Sequence, residues 1–166
     1  MPNDILTKYG SQQTITAAVA SLAFDADLRA GIESSAIDNT SDGYEDMILS
    51  GFITTGTSPL AAKAIEVWAI AWNGSGWPDV FDGTTSAETI TSADIKNSIC
   101  KSVASISTSN TSDRRYDFTG VSARTVFGGV LPSKFVLFIT HSTGVNLNST
   151  AGNHGFFYEG VKPQVQ

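Results

Sequence analysis

The side chains able to do chemistry are few, and the histidines are the first to consider. The sequence holds 2 His, with His141 at the end of a predicted strand and His154 in a nearby loop. A metal site would need further ligands, and no His-x-His or His-x-x-x-His spacing provides them. We interpret both as hydrogen-bonded structural histidines, and we predict no metal and no cofactor.

A second candidate lies in the long acidic loop that follows Trp77. Asp79 and Asp82 stand close to this tryptophan in the sequence. An aromatic ring with nearby carboxylates is a typical arrangement for binding a sugar ring and its hydroxyls. The same residues also describe a surface loop anchored by a tryptophan that points into the core. We favour the second interpretation and keep the first as an alternative.

The remaining candidates do not form a catalytic arrangement. Glu45 and Asp46 are adjacent, so in a strand they point to opposite faces and cannot act as a carboxylate pair. Cys100 is the single cysteine, which excludes an internal disulfide framework, and it has no histidine near it in the sequence. No Gly-x-Ser-x-Gly motif is present, and Arg114 and Arg115 fit a solvated turn. The sequence therefore predicts a protein that is not an enzyme.

Charge and hydropathy argue against several classes of partner. The chain has 166 residues and a net charge of -6, and its Lys and Arg are scattered, which gives no electrostatic footprint for nucleic acid or an anionic membrane. No apolar run approaches the ~20 residues that span a bilayer. The N-terminus lacks the pattern of a secretory signal, so we expect a protein made in a reducing cytoplasm.

Two segments predict the strands that hold these loops. Both faces of residues 65–72 (IEVWAIAW) are largely apolar, which predicts a central strand covered on both sides. Residues 134–142 (KFVLFITHS) are its natural partner. Ser and Thr make up about a quarter of the chain, a profile typical of an all-β domain with short strands and polar turns.

Weaker patterns predict the smaller elements. We expect a bulge or a close backbone approach at residues 50–51, where a Ser-Gly pair interrupts an apolar strand. A helical turn near Ile95 should run into a strand, and one more turn is predicted over residues 122–127. The last strand begins at Phe156, and Pro163 is expected to end its ladder.

The N-terminal segment is polar and poorly patterned, with Ile5, Leu6 and Tyr9 as its only apolar anchors. This is too little apolar surface to order the segment alone. We therefore predict a flexible N-terminal arm over residues 1–13 and a single β-sandwich domain over 14–166. On a capsid or a sister subunit, the anchors could fill pockets while the backbone adds to an exposed sheet edge.

Six turn-rich segments between residues 33 and 155 carry a resemblance. They are 36–40 (AIDNT), 54–59 (TTGTSP), 65–68 (IEVW), 127–132 (FGGVLP), 140–144 (THSTG) and 148–153 (NSTAGN). In this order they resemble a set of small structural proteins of tailed bacteriophages. The resemblance implies a virion component rather than an enzyme, without assigning it to the head or the tail.

We therefore predict an antiparallel β-sandwich of jelly-roll type with one or two short helical turns. The leading functional hypothesis is a capsid decoration (cement) protein, made in the host cytoplasm, that binds the major capsid protein or other virion subunits and forms homo-oligomers. The alternatives are a tail or neck component, and a carbohydrate-binding module that stacks sugars on Trp72, Trp77 or Tyr158. The predicted partner-binding residues are Ile5, Leu6, Tyr9, Trp72 and Trp77.

Overall fold

The computed structural model describes residues 5–165, which form strands joined by two short helices and a 3-10 turn. In chain order the strands are β1 (Ile5–Tyr9), β2 (Gln13–Ile15), β3 (Ala30–Glu33), β4 (Ile37–Asp38), β5 (Asp46–Thr54), β6 (Ala64–Ala71), β7 (Ala87–Thr89), β8 (Lys101–Ser107), β9 (Arg115–Ser122), β10 (Lys134–His141) and β11 (Gly155–Val165). The helices are α1 (Ala93–Ile99) and α2 (Ala123–Val126), and the 3-10 turn covers Ala151–Asn153. No helix in this part of the chain is long and apolar enough to span a membrane.

The strands form two antiparallel sheets packed face to face. We name the first the ribbon sheet; its order is β1-β11-β5-β9, with β2 also paired to β11. The second, the covered sheet, has the order β7-β3-β10-β6-β8, with β4 also paired to β10. To compare this with known topologies, β1 and β2 are counted as strand 1, β3 and β4 as strand 2, β7 is left out, and the remaining strands are numbered 3 to 8 in chain order. In these numbers the ribbon sheet has the order 1-8-3-6 and the covered sheet the order 2-7-4-5. This is the double Greek key of a jelly roll, so the predicted fold class is confirmed.

The core lies between the sheets because the strands alternate. In β5 the buried Met47, Leu49 and Ile53 point inward, and they meet the inward side chains of β6 and β10, such as Val67 and Leu137. These aliphatic side chains are removed from water almost completely, and each such burial is worth about 1.5–3 kcal/mol.

The predicted central strand is confirmed. β6 lies between β10 and β8, with Leu137 opposite Ala69 in the β10 pairing. The other face of β6 and β10 is also buried, because Ile70 and Phe138 contact a second apolar cluster supplied by the chain between β6 and β8. We name that connection, residues 72–100, the cover.

Both helices begin where the sequence supplies a cap. The Ser92 hydroxyl accepts the N–H of Ile95 at 3.2 Å to begin α1, and the Ser122 hydroxyl accepts the N–H of Thr125 at 3.0 Å to begin α2. α1 then runs directly into β8, as predicted. At residues 50–51 the structure has the expected close backbone approach, at Gly51, but no bulge in β5. The extra residue in the pairing of β5 with β9 lies on β9, where Thr119 and Gly120 stand opposite Ser50.

The prediction that Pro163 ends the last ladder is wrong. β11 continues through Pro163, which lies opposite Thr7 of β1. Gly160 accepts the N–H of Gly10 on the β1 side, whereas Val161 accepts the N–H of Glu45 on the β5 side. The backbone groups of successive β11 residues alternate between these two sides, so the nitrogen of Pro163 points to the β5 side. The pairing with β5 stops at Val161, so no strand faces this nitrogen. No ladder bond is lost there, and edge positions of this kind tolerate proline.

The structure also differs from the predicted flexible arm. Residues 5–9 form β1 and pair with residues 161–165 of β11, and β2 begins at Gln13. Residues 1–4 lie outside the described part of the chain. All five side chains of β1 are exposed, so this strand is held by its backbone pairing and not by burial. The predicted boundary at residue 13 therefore does not separate an arm from the sandwich.

Candidate functional site

Both histidines hold loops in place. The ring nitrogens of the buried His141 lie 3.0 Å from the Thr143 hydroxyl and 3.0 Å from the Leu22 carbonyl oxygen. His154 Nε2 lies 2.9 Å from the carbonyl oxygen of Asn148. Burial lowers the pKa of both rings, which favours their neutral forms. Within residues 5–165, no group of three or more His, Cys, Asp or Glu side chains is placed to hold a metal ion.

The acidic loop after Trp77 uses its carboxylates internally. Asp82 accepts the N–H and the hydroxyl of Thr84 at 2.8 and 2.6 Å. Asp79 likewise accepts the N–H of Thr91 at 3.0 Å and its hydroxyl at 2.6 Å. Trp77 itself is half-buried in the apolar cluster beneath the cover. This arrangement matches the anchored loop that we favoured, since the ring and the carboxylates do not converge on one open site.

Glu33 is a buried acid that the sequence patterns missed. It lies at the end of β3 beneath the cover, where its carboxylate accepts the N–H of Gly83 at 2.7 Å and that of Asp82 at 3.2 Å. Burial raises the pKa of Glu33 to about 7, and the nearby carboxylates of Asp82 and Glu88 add to this effect. The side chain thus fixes the loop of the cover to the sheet.

A buried ion pair fixes α1 to the covered sheet. Lys96 Nζ donates to Glu66 Oε2 at 2.8 Å and to the Leu28 carbonyl at 2.6 Å. The ammonium group also lies 4.8 Å from the ring centre of Trp68, whose indole N–H donates to the same Glu66 oxygen at 2.9 Å. The charges of Lys96 and Glu66 satisfy each other's hydrogen bonding and hold α1 on the sheet. The protein's own chain therefore closes the outer surface of the covered sheet.

The outward surface of the ribbon sheet has no such cover within the described residues. On β5, Ile48, Ser50 and Phe52 alternate with the buried core positions and point outward. Ser50 lies opposite Phe157 of β11, and the rings of Phe52 and Phe157 are 6.2 Å apart. We name this surface the outer face. Its apolar side chains are partly buried and cross the two middle strands of the sheet, together with Ser50 and with Glu159, which lies opposite Ile48.

A cation borders the aromatic part of the outer face. The Arg115 guanidinium lies 3.7 Å above the ring of Phe52, and it donates to Asp117 Oδ1 at 2.6 Å. With Gln12 and Phe157 these residues line a shallow depression of about 200 Å³. Aromatic side chains beside an arginine are the composition typical of protein–protein interfaces.

The predicted partner-binding residues divide between two places. Ile5, Leu6 and Tyr9 all lie on β1 and are 72%, 46% and 59% exposed. Trp72 follows β6 in the covered sheet, where Lys134 Nζ lies 5.7 Å from its ring centre, and Trp77 belongs to the cover. The predicted set is therefore not one surface, because the sandwich separates β1 from Trp77.

A second depression, larger than the one beside Phe52, lies among loops of the sandwich and is polar. It encloses about 350 Å³ and is lined by loop residues that include Thr57, Asp113 and Asn148. The Asn148 amide donates to Asp113 at 2.8 Å and its oxygen accepts the N–H of Thr150 at 2.9 Å. These groups are engaged in fixing the loops. The depression offers no arrangement of an acid, a base and a nucleophile.

Comparison of the chain with models of known protein families and with curated protein sequences gave no match. Functional inference therefore rests on the contrast between the closed surface of the covered sheet and the open outer face of the ribbon sheet.

Proposed function

We propose that this chain is a non-enzymatic structural protein of a virion, a decoration protein that attaches to the major capsid protein or to other shell subunits through its outer face. The observation that carries the proposal is the asymmetry of the two sheets. The cover buries Ile70 and Phe138 completely on the outside of the covered sheet, whereas Phe52 and Phe157 on the ribbon sheet are only partly buried.

The chemistry of the outer face suits a protein partner. Exposed apolar side chains are normal when scattered, but a contiguous strip rimmed by polar residues marks an interaction surface. Here the neighbouring rings of Phe52 and Phe157 form the apolar centre and Ile48 lies on the same face. Arg115, Asp117 and Glu159 lie around them. A sheet surface with only a shallow depression of about 200 Å³ fits another protein surface better than a small ligand, which needs a deeper pocket.

The buried ionisable groups support a structural role. His141, Glu33 and the Lys96–Glu66 pair each satisfy backbone groups or each other, and each holds a loop or a helix against a sheet. Enzymes gather the ionisable groups that act on a substrate in one cleft. In this protein the buried ionisable groups lie at separate places in the sandwich.

The fold and the family resemblance are compatible with this proposal. Jelly rolls recur in viral capsid proteins and also in lectins, so the fold alone does not select between a decoration protein and a carbohydrate-binding module. The half-buried position of Trp77 and the engaged carboxylates of Asp79 and Asp82 favour the first.

Copy number in the particle tests the proposal directly. Mass spectrometry of purified virions should give hundreds of copies for each particle, in fixed ratio to the major capsid protein. About a dozen or fewer copies would assign the chain to the tail or neck, and absence from the virion would overturn the proposal.

Binding to undecorated shells tests the surface. Phe157→Ser should weaken binding at least ~10-fold, about 1.4 kcal/mol, while melting shows that the variant remains folded. Val130→Ser is the matched control, because Val130 is 76% exposed but lies in the loop before β10. Equal binding by both variants would place the attachment surface elsewhere. Saturable oligosaccharide binding that Trp77→Ala abolishes would favour the glycan-binding alternative.

A further inference from the structure

The backbone of β1 has one paired side and one open side. Gly10 donates to Gly160 at 2.8 Å, and Lys8 and Leu6 lie opposite Lys162 and Gln164. Because backbone groups alternate along a strand, those of Leu6 and Lys8 point toward β11. The N–H and C=O groups of Ile5, Thr7 and Tyr9 therefore point away from β11, where no described strand pairs with them. We name this row of groups the β1 edge.

The other sheet edges carry features that discourage pairing. β7 has only 3 residues, and β8 and β9 each contain an extra residue that shifts the register of their pairing. The side of β11 left open beyond β5 holds Pro163, which has no N–H to offer. Natural sheets use short strands, bulges and proline in this way to prevent edge-to-edge association.

The β1 edge has none of these backbone features. It is a regular run of 5 residues without proline, and its side chains are all exposed. Lys8 is the one charged residue of β1. It lies opposite Lys162 in the ribbon sheet, a pairing of like charges that is unfavourable. A new strand along this edge would meet apolar side chains together with the single charge of Lys8.

We propose that the β1 edge binds the β1 edge of a second copy of this chain, antiparallel and in the register that places Thr7 opposite Thr7 of the second copy. Ile5 then lies opposite Tyr9 of the second copy, and the same pair forms again across the two-fold axis. Each of these positions has its backbone groups on the β1 edge, so all of them form hydrogen-bonded pairs.

The side chains of β1 suit this two-fold register. Ile5 and Tyr9 stand at equal distances on either side of Thr7, so the axis brings an aliphatic side chain against an aromatic ring twice. Lys8 lies opposite Leu6 of the second copy and avoids a directly opposed lysine. Registers centred on Ile5 or Tyr9 overlap over fewer residues and form fewer hydrogen bonds. Self-complementarity of one patch is what a two-fold interface requires.

The size of the contact predicts a weak dimer. Stable protein interfaces bury about 800 Å² on each partner, and one strand of 5 residues falls below this. We therefore expect a dissociation constant in the micromolar range, between about 10 and 300 μM. The axis runs perpendicular to the joined sheet, so the outer faces of both copies point to the same side. The dimer proposal does not depend on what the outer face binds. On a repeating surface, the dimer would give bivalent attachment.

A proline at the centre of the register tests the pairing. Thr7→Pro removes an N–H that points to the β1 edge and leaves the bonds to β11, while Leu6 before it stays extended, as proline requires. Sedimentation velocity from about 1 to 300 μM should show monomer and dimer in exchange for the wild type and for the matched control Thr7→Ala. Thr7→Pro should associate at least ~10-fold more weakly, about 1.4 kcal/mol, with its thermal midpoint within a few degrees of the wild type.

Disulfide formation tests the register without relying on the proline variant. In a hydrogen-bonded antiparallel pair the Cα atoms are ≈ 5.5 Å apart, within the range of a disulfide. Thr7→Cys should therefore form a covalent dimer under mild oxidation. Ile5→Cys should not, because the two copies of this position would be about 14 Å apart. The native Cys100 is buried.

Three outcomes would overturn the dimer: a wild type that stays monomeric throughout, a Thr7→Pro variant that associates like the wild type, or cross-linking at Ile5→Cys in preference to Thr7→Cys. All these measurements use the isolated protein. Their failure would leave the proposal about the shell intact, and a failure to bind shells would leave the dimer intact.

Discussion

Replacing Glu33 with glutamine tests how the cover is held on its sheet. The side chain of Glu33 is fully buried at the end of β3, and its carboxylate accepts the N–H groups of Asp82 and Gly83. Two such bonds favour the charged form. Removal from water favours the neutral form more strongly, and the folded-state pKa rises to about 7.

The direction of the pH effect follows from this pKa. An ordinary glutamate has a pKa of 4.5, so the folded protein binds this proton more tightly than the unfolded chain does. The stabilisation is therefore fully present below about pH 4.5 and is lost as the pH rises through about 7. The interval between the two pKa values corresponds to roughly 3 kcal/mol of unfolding free energy.

Urea unfolding at steps from pH 4.5 to 8 measures this contribution. Glutamine is neutral throughout and its oxygen can accept the N–H of Gly83, so Glu33→Gln imitates the protonated acid. The free-energy difference between the two proteins should be small at the acid end, and at pH 8 the wild type should be less stable by roughly 3 kcal/mol.

Glu45→Gln, which removes an exposed carboxyl, controls for the change in net charge. Parallel profiles for the wild type and Glu33→Gln across the whole range would refute the reasoning. They would mean that the two N–H bonds compensate fully for the burial of the carboxylate.

Three further substitutions test packing by denaturant melts. Lys96→Met should cost about 3–5 kcal/mol because Glu66 stays buried without its partner, and adding Glu66→Gln should restore most of the loss; no recovery would contradict the pairing. Trp68→Ala should cost roughly 3–5 kcal/mol, and a loss below about 1 kcal/mol would show that the ring does not support the cover. Gly31→Ala should cost about 1–3 kcal/mol, since a Cβ there lies 2.2 Å from the Ile139 carbonyl oxygen; an unchanged midpoint would contradict this close approach.

The central strands could be predicted because their signal is local. In β6 the residues Ile65 and Val67 alternate with Trp68 and Ile70, and an apolar strand on both faces has few places to lie except the middle of a sheet. The close backbone approach at residue 51 was equally local. A Cβ at Gly51 would meet the Gly155 carbonyl oxygen at 2.7 Å, which is the close backbone approach that the glycine suggested.

β1 could not be predicted, because what orders it lies at the other end of the chain. Ile5 pairs with Val165 and Tyr9 with Val161. The side chains of Ile5 and Tyr9 are exposed and leave no burial pattern in the sequence. Pro163 misled the prediction for a related reason. Whether a proline breaks a ladder depends on which side its nitrogen faces, and that is set by where β5 ends.

Glu33 was missed because its hydrogen-bond partners are backbone N–H groups. The N–H of Gly83 lies 50 residues further along the chain, and a backbone donor has no signature in the sequence. The candidate site raises the same difficulty, since alternation places Phe52 on the outside of the ribbon sheet but does not say what covers it.

The lengths of the connections explain why one sheet is covered and the other is open. The cover is a long excursion between neighbouring strands of one sheet, so it can fold back over the outside of β6 and β10. The chain from β5 to β6 has only to cross between the sheets, and the chain from β9 to β10 is taken up by α2 and a loop at one end of the sandwich. No described segment is left to lie over Phe52 and Phe157. Within the described residues this strip stays only partly buried, which is why we propose the attachment surface there.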